Sequence, residues 1–174
     1  HRLGGPNGMI RQSEFFLYSK KDRDAVYKCL ERGYKFPEVT SWIRASKKDF
    51  ELVKEIGMKE TGILVSCSDY HIFYKLKMTR REAMEHYLSI VRECLETGIS
   101  PRCHLEDVTR SDIYGFVIPF CLELMHLMEE YQISLTQAVL GYLTCRDFTC
   151  LPLYGPRNIE DLKDAMETFS IPFL

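Results

Sequence analysis

Several absences narrow what this sequence can be. No apolar run approaches membrane-spanning length, and the opening HRLGGPNGMIRQ has no apolar middle of the kind a signal peptide needs. No long run of one charge sign occurs either. Lys and Arg number 23 against 25 Asp and Glu, a formal net charge of −2, so no surface is dedicated by charge to nucleic acid or to a membrane. No Cys-x-x-Cys, His-x-His, His-Glu-x-x-His or Cys/His zinc pattern is present. The seven cysteines are odd in number, and Cys29, Cys94 and Cys121 fall on apolar helical faces where a thiol serves as a small hydrophobe. A reducing, cytoplasmic setting is the expectation. His86 and His126 lie inside helix patterns and read as structural. LGGPNG, residues 3–8, follows no predicted strand and lacks Gly-Lys-Ser/Thr, so it is a weak phosphate loop.

What is present is a full core's worth of apolar residues, 45% of 174, enough for one α/β domain over residues 1–174. Strand and helix signals alternate. Ser19 to Asp22 opens a helix that carries Ala25, Val26, Cys29 and Leu30 and stops at Gly33. YKFPEVT reads as a strand ending near Thr40. Ser46 with Asp49 starts a second helix closed by Gly57, and TGILVSCS is a buried-type strand. Thr79-x-x-Glu82 is a capping box before a long apolar stripe, and SPRCHLE is the next strand. Asp112 can cap the following helix, Ser134 begins another, FTCLPLYG gives a fourth strand, and Asn158 caps the last helix. Four such units predict parallel (βα) units, about half of an eight-unit barrel: a partial or half TIM-barrel.

Right-handed crossovers place the loops after all strands on one edge, where ligands bind. Four polar clusters follow the predicted strands: Thr40, Ser41, Trp42 and Arg44; Ser66, Ser68, Asp69, Tyr70 and His71; Glu106, Asp107, Thr109 and Arg110; Gly155, Arg157 and Asn158. A local salt-bridge set with helix caps would produce the same pattern at 106–112. Trp42 reads better as a lid packed over the sheet end than as a substrate platform.

Two segments carry a resemblance. SDYHIFYKLKMTRREAM, residues 68–84, resembles the Ser-Asp-x-His…Lys-Leu-Lys-Met segment of isopropylmalate and homocitrate synthases, and HLEDVTRSD resembles their Glu-Asp-x-x-Arg-x-Asp segment. These belong to the metal-dependent, Claisen-condensing barrel family (HMGL-like) that includes hydroxymethylglutaryl-CoA lyase. The resemblance covers about residues 1–132. It implies an acyltransferase that joins an acyl-CoA to a 2-oxo acid. By resemblance Glu106, His71 and Arg110 are the catalytic candidates, with Thr40, Arg44, Ser68, Asp69 and Thr109 on the substrate. The family implies a divalent metal, Mg or Mn, held by an Asp after its first strand and by a His-x-His pair. Neither motif occurs here, so the expectation is no metal site in this chain and incomplete catalysis.

EEYQISLTQAVLGYL and LPLYGPRNIEDLKDAMETF resemble the last units of aldo-keto reductases. That resemblance, over residues 133–174, implies an NADP phosphate near Gly155, Arg157 and Asn158, where a helix N-terminus favours an anion. Two barrel pieces joined near residue 132 would be a recombined chimera or a divergent natural chain. A half-barrel leaves sheet edges open, so a homodimer is expected. A nucleotide-binding fragment and a non-catalytic scaffold are the competing readings.

Overall fold

The structure, a computed structural model, describes residues 1–3, 9–130, 134, 136 and 154–168. It divides into two units, His1–Phe120 and Cys121–Leu174. The first holds β1 (Gln12–Phe15), α1 (Lys20–Leu30), β2 (Glu38–Arg44), α2 (Lys47–Ile56), β3 (Glu60–Ser66), α3 (Arg80–Glu96) and β4 (Ser100–Glu106). A wide π-type turn at Tyr70–Lys75 follows β3. A short 3-10 turn at Val108–Arg110 and a second π-type turn at Ile113–Val117 follow β4, leading into α4 (Ile118–Glu130). The second unit continues α4 and contains α5 (Ile159–Glu167).

The four strands are all parallel and lie in the order β1-β2-β3-β4. Each crossover therefore steps in the same direction, and right-handedness puts α1, α2 and α3 on one face of the sheet. α1 and α2 pack on β2, and α3 packs on β4. This singly wound arrangement is the grammar of a (βα) barrel, not of an open doubly wound sheet. The core lies between the sheet and its helices, where Ile43, Ile63, Val65, Phe50, Val53, Tyr87 and Ile90 are buried. Each large side chain removed from water there contributes about 1.5–3 kcal/mol.

Local signals set several elements. Ser19 and Thr79 form reciprocal capping boxes with Asp22 and Glu82, and Gly57 ends α2 in a left-handed conformation that its lack of a Cβ permits. Asn158 caps α5 by accepting from the Asp161 amide at 2.7 Å.

Two expectations need correction. β1 was not foreseen: Gln-Ser-Glu-Phe is too polar to show a strand period, because its alternate residues face a polar side of the sheet. β2 does not end at Thr40 but runs to Arg44, so Thr40, Ser41 and Trp42 lie inside the strand and not in the loop after it. The polarity of Ser41 is absorbed by pairing: its Oγ donates to Thr61 Oγ1 at 2.9 Å, buried under the helices. Ser46 is the N-cap of α2 as expected, although its side chain makes no cap bond and the Asp49 carboxylate pairs with Arg44. The predicted helix from Ser134 and the predicted fourth strand at 148–155 lie largely outside the described residues; Tyr154 and Gly155, which are described, are not in a strand.

Candidate functional site

The face of the sheet away from the helices is polar. Register aligns Glu14 with Thr40, Trp42 with Gly62, Gly62 with Arg102, Leu64 with His104 and Ser66 with Glu106. Low on this face Arg102 bridges Glu14 and Glu60, while Gln12 donates to Glu60 at 3.1 Å. Above them the Trp42 indole lies over Gly62, with the Phe16 ring 5.4 Å and the His104 ring 5.8 Å away between centroids. A groove of about 480 Å³ opens beside it, lined by Phe16, Tyr18, Trp42, Ile43, Arg44 and Leu64. Thr40 Oγ1, Trp42 Nε1 and His104 Nε2 are buried there without a hydrogen bond.

At the carboxyl edge the loops after β3 and β4 meet. Ser66 ends β3 directly opposite Glu106 and donates to Glu106 Oε2 at 2.6 Å. The π-type turn folds its polar side back over the strand end, which brings two groups to Glu106 Oε2: Lys75 Nζ at 3.3 Å and His71 Nδ1 at 3.3 Å. The same His71 nitrogen is 3.5 Å from Asp107 Oδ2, yet it points at neither carboxylate well enough to hydrogen-bond. Asp107 has a left-handed backbone (φ +64°), a strained state for a residue with a Cβ. Ser68 Oγ donates to Asp107 at 3.0 Å and Arg110 pairs with its other oxygen. Beneath the site the buried Tyr87 hydroxyl donates to the Ser66 carbonyl at 3.0 Å.

These contacts keep both carboxylates ionised. Partial burial of Glu106 works to raise its pKa, but the Ser66 hydroxyl and the Lys75 ammonium outweigh it and hold it below the usual carboxylate range. Asp107 is held low chiefly by Arg110, then by Ser68. The Tyr87 phenol is pushed well up by burial and stays protonated as a donor.

The structure brings His71, Glu106 and Ser68 of the expected set together, with Arg110 at their rim through Asp107. Asp69 sits beside them but is held by Arg80 at 2.8 Å through both oxygens. Thr109 is exposed in the 3-10 turn. Thr40 lies lower on the polar face, third in the seven-residue β2. Arg44 forms a two-pronged pair with Asp49, 2.7 and 2.9 Å, and stacks over Tyr18. In the second unit Arg157 pairs with Asp161 at 3.0 Å, Asn158 caps α5 and Gly155 stands in open space, so α5 itself uses the two polar groups meant for NADP.

Sequence reasoning did not single out Lys75 or Arg80. Lys75 follows His71 by one helical turn, a spacing that puts both on one side. Arg80 is a cation at a helix start, against the dipole, which signals a carboxylate partner. His86 is structural as expected, its Nε2 lying 2.6 Å from the Ala45 carbonyl. Among the described residues no group of His, Cys, Asp and Glu is arranged to hold a metal. The chemistry of the cluster agrees: Glu106 and Asp107 are already neutralised by Lys75 and Arg110, and a cation would have to displace both.

Comparison with known proteins covers the same region. The HMGL-like family model matches residues 14–149, across the junction expected near residue 132. The citrate (Re)-synthase of Clostridium kluyveri is 63% identical over 135 residues, 78% of this chain and 30% of that protein. The citrate (Re)-synthase of Syntrophus aciditrophicus is 64% identical over 129 residues, 74% of this chain and 20% of that protein. The 2-phosphinomethylmalate synthase of Streptomyces hygroscopicus is 44% identical over 169 residues, 92% of this chain and 38% of that protein. The chain thus spans between 20 and 38% of the length of these relatives. With a singly wound parallel sheet, both motifs meeting at its carboxyl edge and a family match over most of its length, this chain belongs to the HMGL-like family.

Proposed function

We propose that this chain forms the oxo-acid-facing part of an enzyme that joins the acetyl unit of acetyl-CoA to a 2-oxo acid. The observation that carries this reading is the meeting of Glu106, His71 and Lys75, from neighbouring βα units, at the carboxyl edge of the sheet. The condensation needs a base to take a proton from the acetyl methyl group, attack of that carbon on the keto carbon, a proton for the keto oxygen, and water to cleave the thioester and release CoA. Lys75 and Arg110, each paired with one of the two carboxylates, keep further N–H donors for a substrate carboxylate. His71, seated against two ionised carboxylates, is suited to carry the proton that reaches the keto oxygen. Ser68 holds Asp107; Thr40, Arg44, Asp69 and Thr109 remain substrate-side proposals of lower weight.

The citrate synthases among the relatives support oxaloacetate as the oxo acid and citrate as the product. The family generally uses a divalent metal. The described residues do not fit one, so no step assigned to them runs through it, and the reading keeps these residues catalytically incomplete by themselves.

The test is CoA release by the full-length protein from acetyl-CoA and oxaloacetate with Mn²⁺, followed by a thiol reagent. Glu106→Gln and His71→Ala should each lose about 100-fold or more. No CoA from the parent protein, or parental rates in both variants, refutes the reading. The homodimer belongs to the same proposal: β1 and β4 are the outer strands among the described residues, and open edges seek cover. A monomer at every concentration in sedimentation would remove it.

A further inference from the structure

We propose that Arg80 is a positioning residue, a clamp that holds the two loops of this site at a fixed separation. The inference rests on the reading above, because those loops carry the residues assigned to the oxo acid.

Arg80 is the first residue of α3. Its Nε and Nη2 donate to the two oxygens of Asp69, each at 2.8 Å, and its Nη1 donates to Asp112 Oδ2 at 2.8 Å. Asp69 stands between Ser68 and the turn that carries His71 and Lys75. Asp112 stands just after the loop that carries Asp107 and Arg110, and its other oxygen accepts from the Gly115 amide at 2.8 Å. One guanidinium thus ties down the start of both π-type turns. The planar fork makes this possible: two parallel donors grip Asp69 while a third faces another direction, which a lysine ammonium cannot reproduce.

Gly115 is fitted to the clamp. A Cβ there would lie 2.6 Å from Arg80 Nη1 and closer still to the Asp112 carboxylate, so the second turn approaches the guanidinium only because residue 115 has no side chain. The position also opposes the helix dipole, and nothing in α3 needs a cation at its start; the two carboxylates do. Nearer the chemistry Ser68 ties Asp107 and Lys75 meets Glu106, while His71 makes no well-directed bond to either carboxylate. The clamp adds a two-pronged tie at the start of both turns, which fixes where His71 is held between those carboxylates.

The experiment compares Arg80→Ala, Arg80→Lys and the neighbouring control Arg81→Ala in the full-length protein; Arg81 is 88% exposed and pairs only with Glu85 among the described residues. Steady-state CoA release from acetyl-CoA and oxaloacetate gives kcat and KM separately, and hydrogen exchange is followed over residues 68–75 and 108–117. Arg80→Ala should lose about 100-fold in kcat/KM, with kcat lowered and the oxaloacetate KM raised, the size expected for a misplacement near 1 Å. Arg80→Lys should recover no more than about tenfold of this. Exchange should accelerate in both segments, and Arg81→Ala should match the parent throughout. The clamp is overturned if Arg80→Ala only lowers the melting temperature while folded protein keeps its kcat and KM, or if exchange changes in one segment alone. Should the parent release no CoA, the proposed function fails, and the two-segment exchange alone decides the clamp.

Discussion

Gly62→Ala probes the packing of the polar face directly. A Cβ at residue 62 would lie 2.6 Å from Trp42 Cδ1, 2.9 Å from His104 Nε2 and 3.1 Å from His104 Cδ2. Carbon atoms rest at about 3.5–4.0 Å, so the indole and the imidazole would each have to retreat by up to about 1 Å. Two effects then oppose each other. Alanine restricts the unfolded chain and suits a strand better than glycine, worth roughly 0.5–1 kcal/mol in its favour. Overpacking costs about 1–3 kcal/mol, and the groove beside Trp42 gives the indole somewhere to go, which keeps the cost at the lower part of that range. The net expectation is a loss of up to about 1.5 kcal/mol. Urea unfolding should show a lower midpoint at unchanged slope. The chain has a single tryptophan, so the native fluorescence of Trp42 should shift in the same variant. An alanine variant as stable as the parent, with the same emission, would mean that the indole does not pack over Gly62 and that the reasoning is wrong.

Two further outcomes follow from the site's support. Tyr87→Phe removes the buried hydroxyl that donates to the Ser66 carbonyl at 3.0 Å and should cost about 1 kcal/mol, read from the same urea midpoint; a neutral result would show that the carbonyl finds another donor. Asp69, Glu106, Asp107 and Asp112 all have folded pKa values below the ordinary carboxylate range, set respectively by Arg80, by Ser66 and Lys75 against burial, by Arg110, and by the Gly115 amide with Arg80. Depressed carboxylates lend stability that is fully present above their unfolded pKa, near 4, and lost as pH falls through the lower folded values. Stability should therefore be flat from neutral pH to about 5 and decline toward pH 2, less steeply in Arg80→Ala; a steeper decline in that variant would contradict the assignment.

Much of the scaffold was legible because its signals are local. The Thr79 and Glu82 box opens α3, Gly57 closes α2, Asn158 caps α5, and the apolar run ahead of Ser66 reads as a buried strand without reference to the rest of the chain. The two motifs were also complete in the sequence, so His71 and Glu106 could be placed after adjacent strands. Gln12–Phe15 was hidden because a strand whose alternate residues face other charged side chains lacks the apolar period by which strands are found. Thr40 to Trp42 looked like a loop for the same reason: polar residues lie inside β2 where Thr61 and the open face of Gly62 receive them.

The sequence by itself determined the alternation from α1 to β4, the caps, and which residues fall near the ends of β3 and β4. Hydrogen bonds within three or four residues and the burial of one apolar stripe are enough for that. Only the tertiary structure decided which charge each of these residues meets. That Arg44 meets Asp49, buried five residues later, is one such pairing. Arg80 was one cation among many until Asp69 and Asp112, 11 and 32 residues away along the chain, closed on it from two loops. Pairings of that kind depend on where parallel strands bring distant loops, and no periodicity along the chain encodes them.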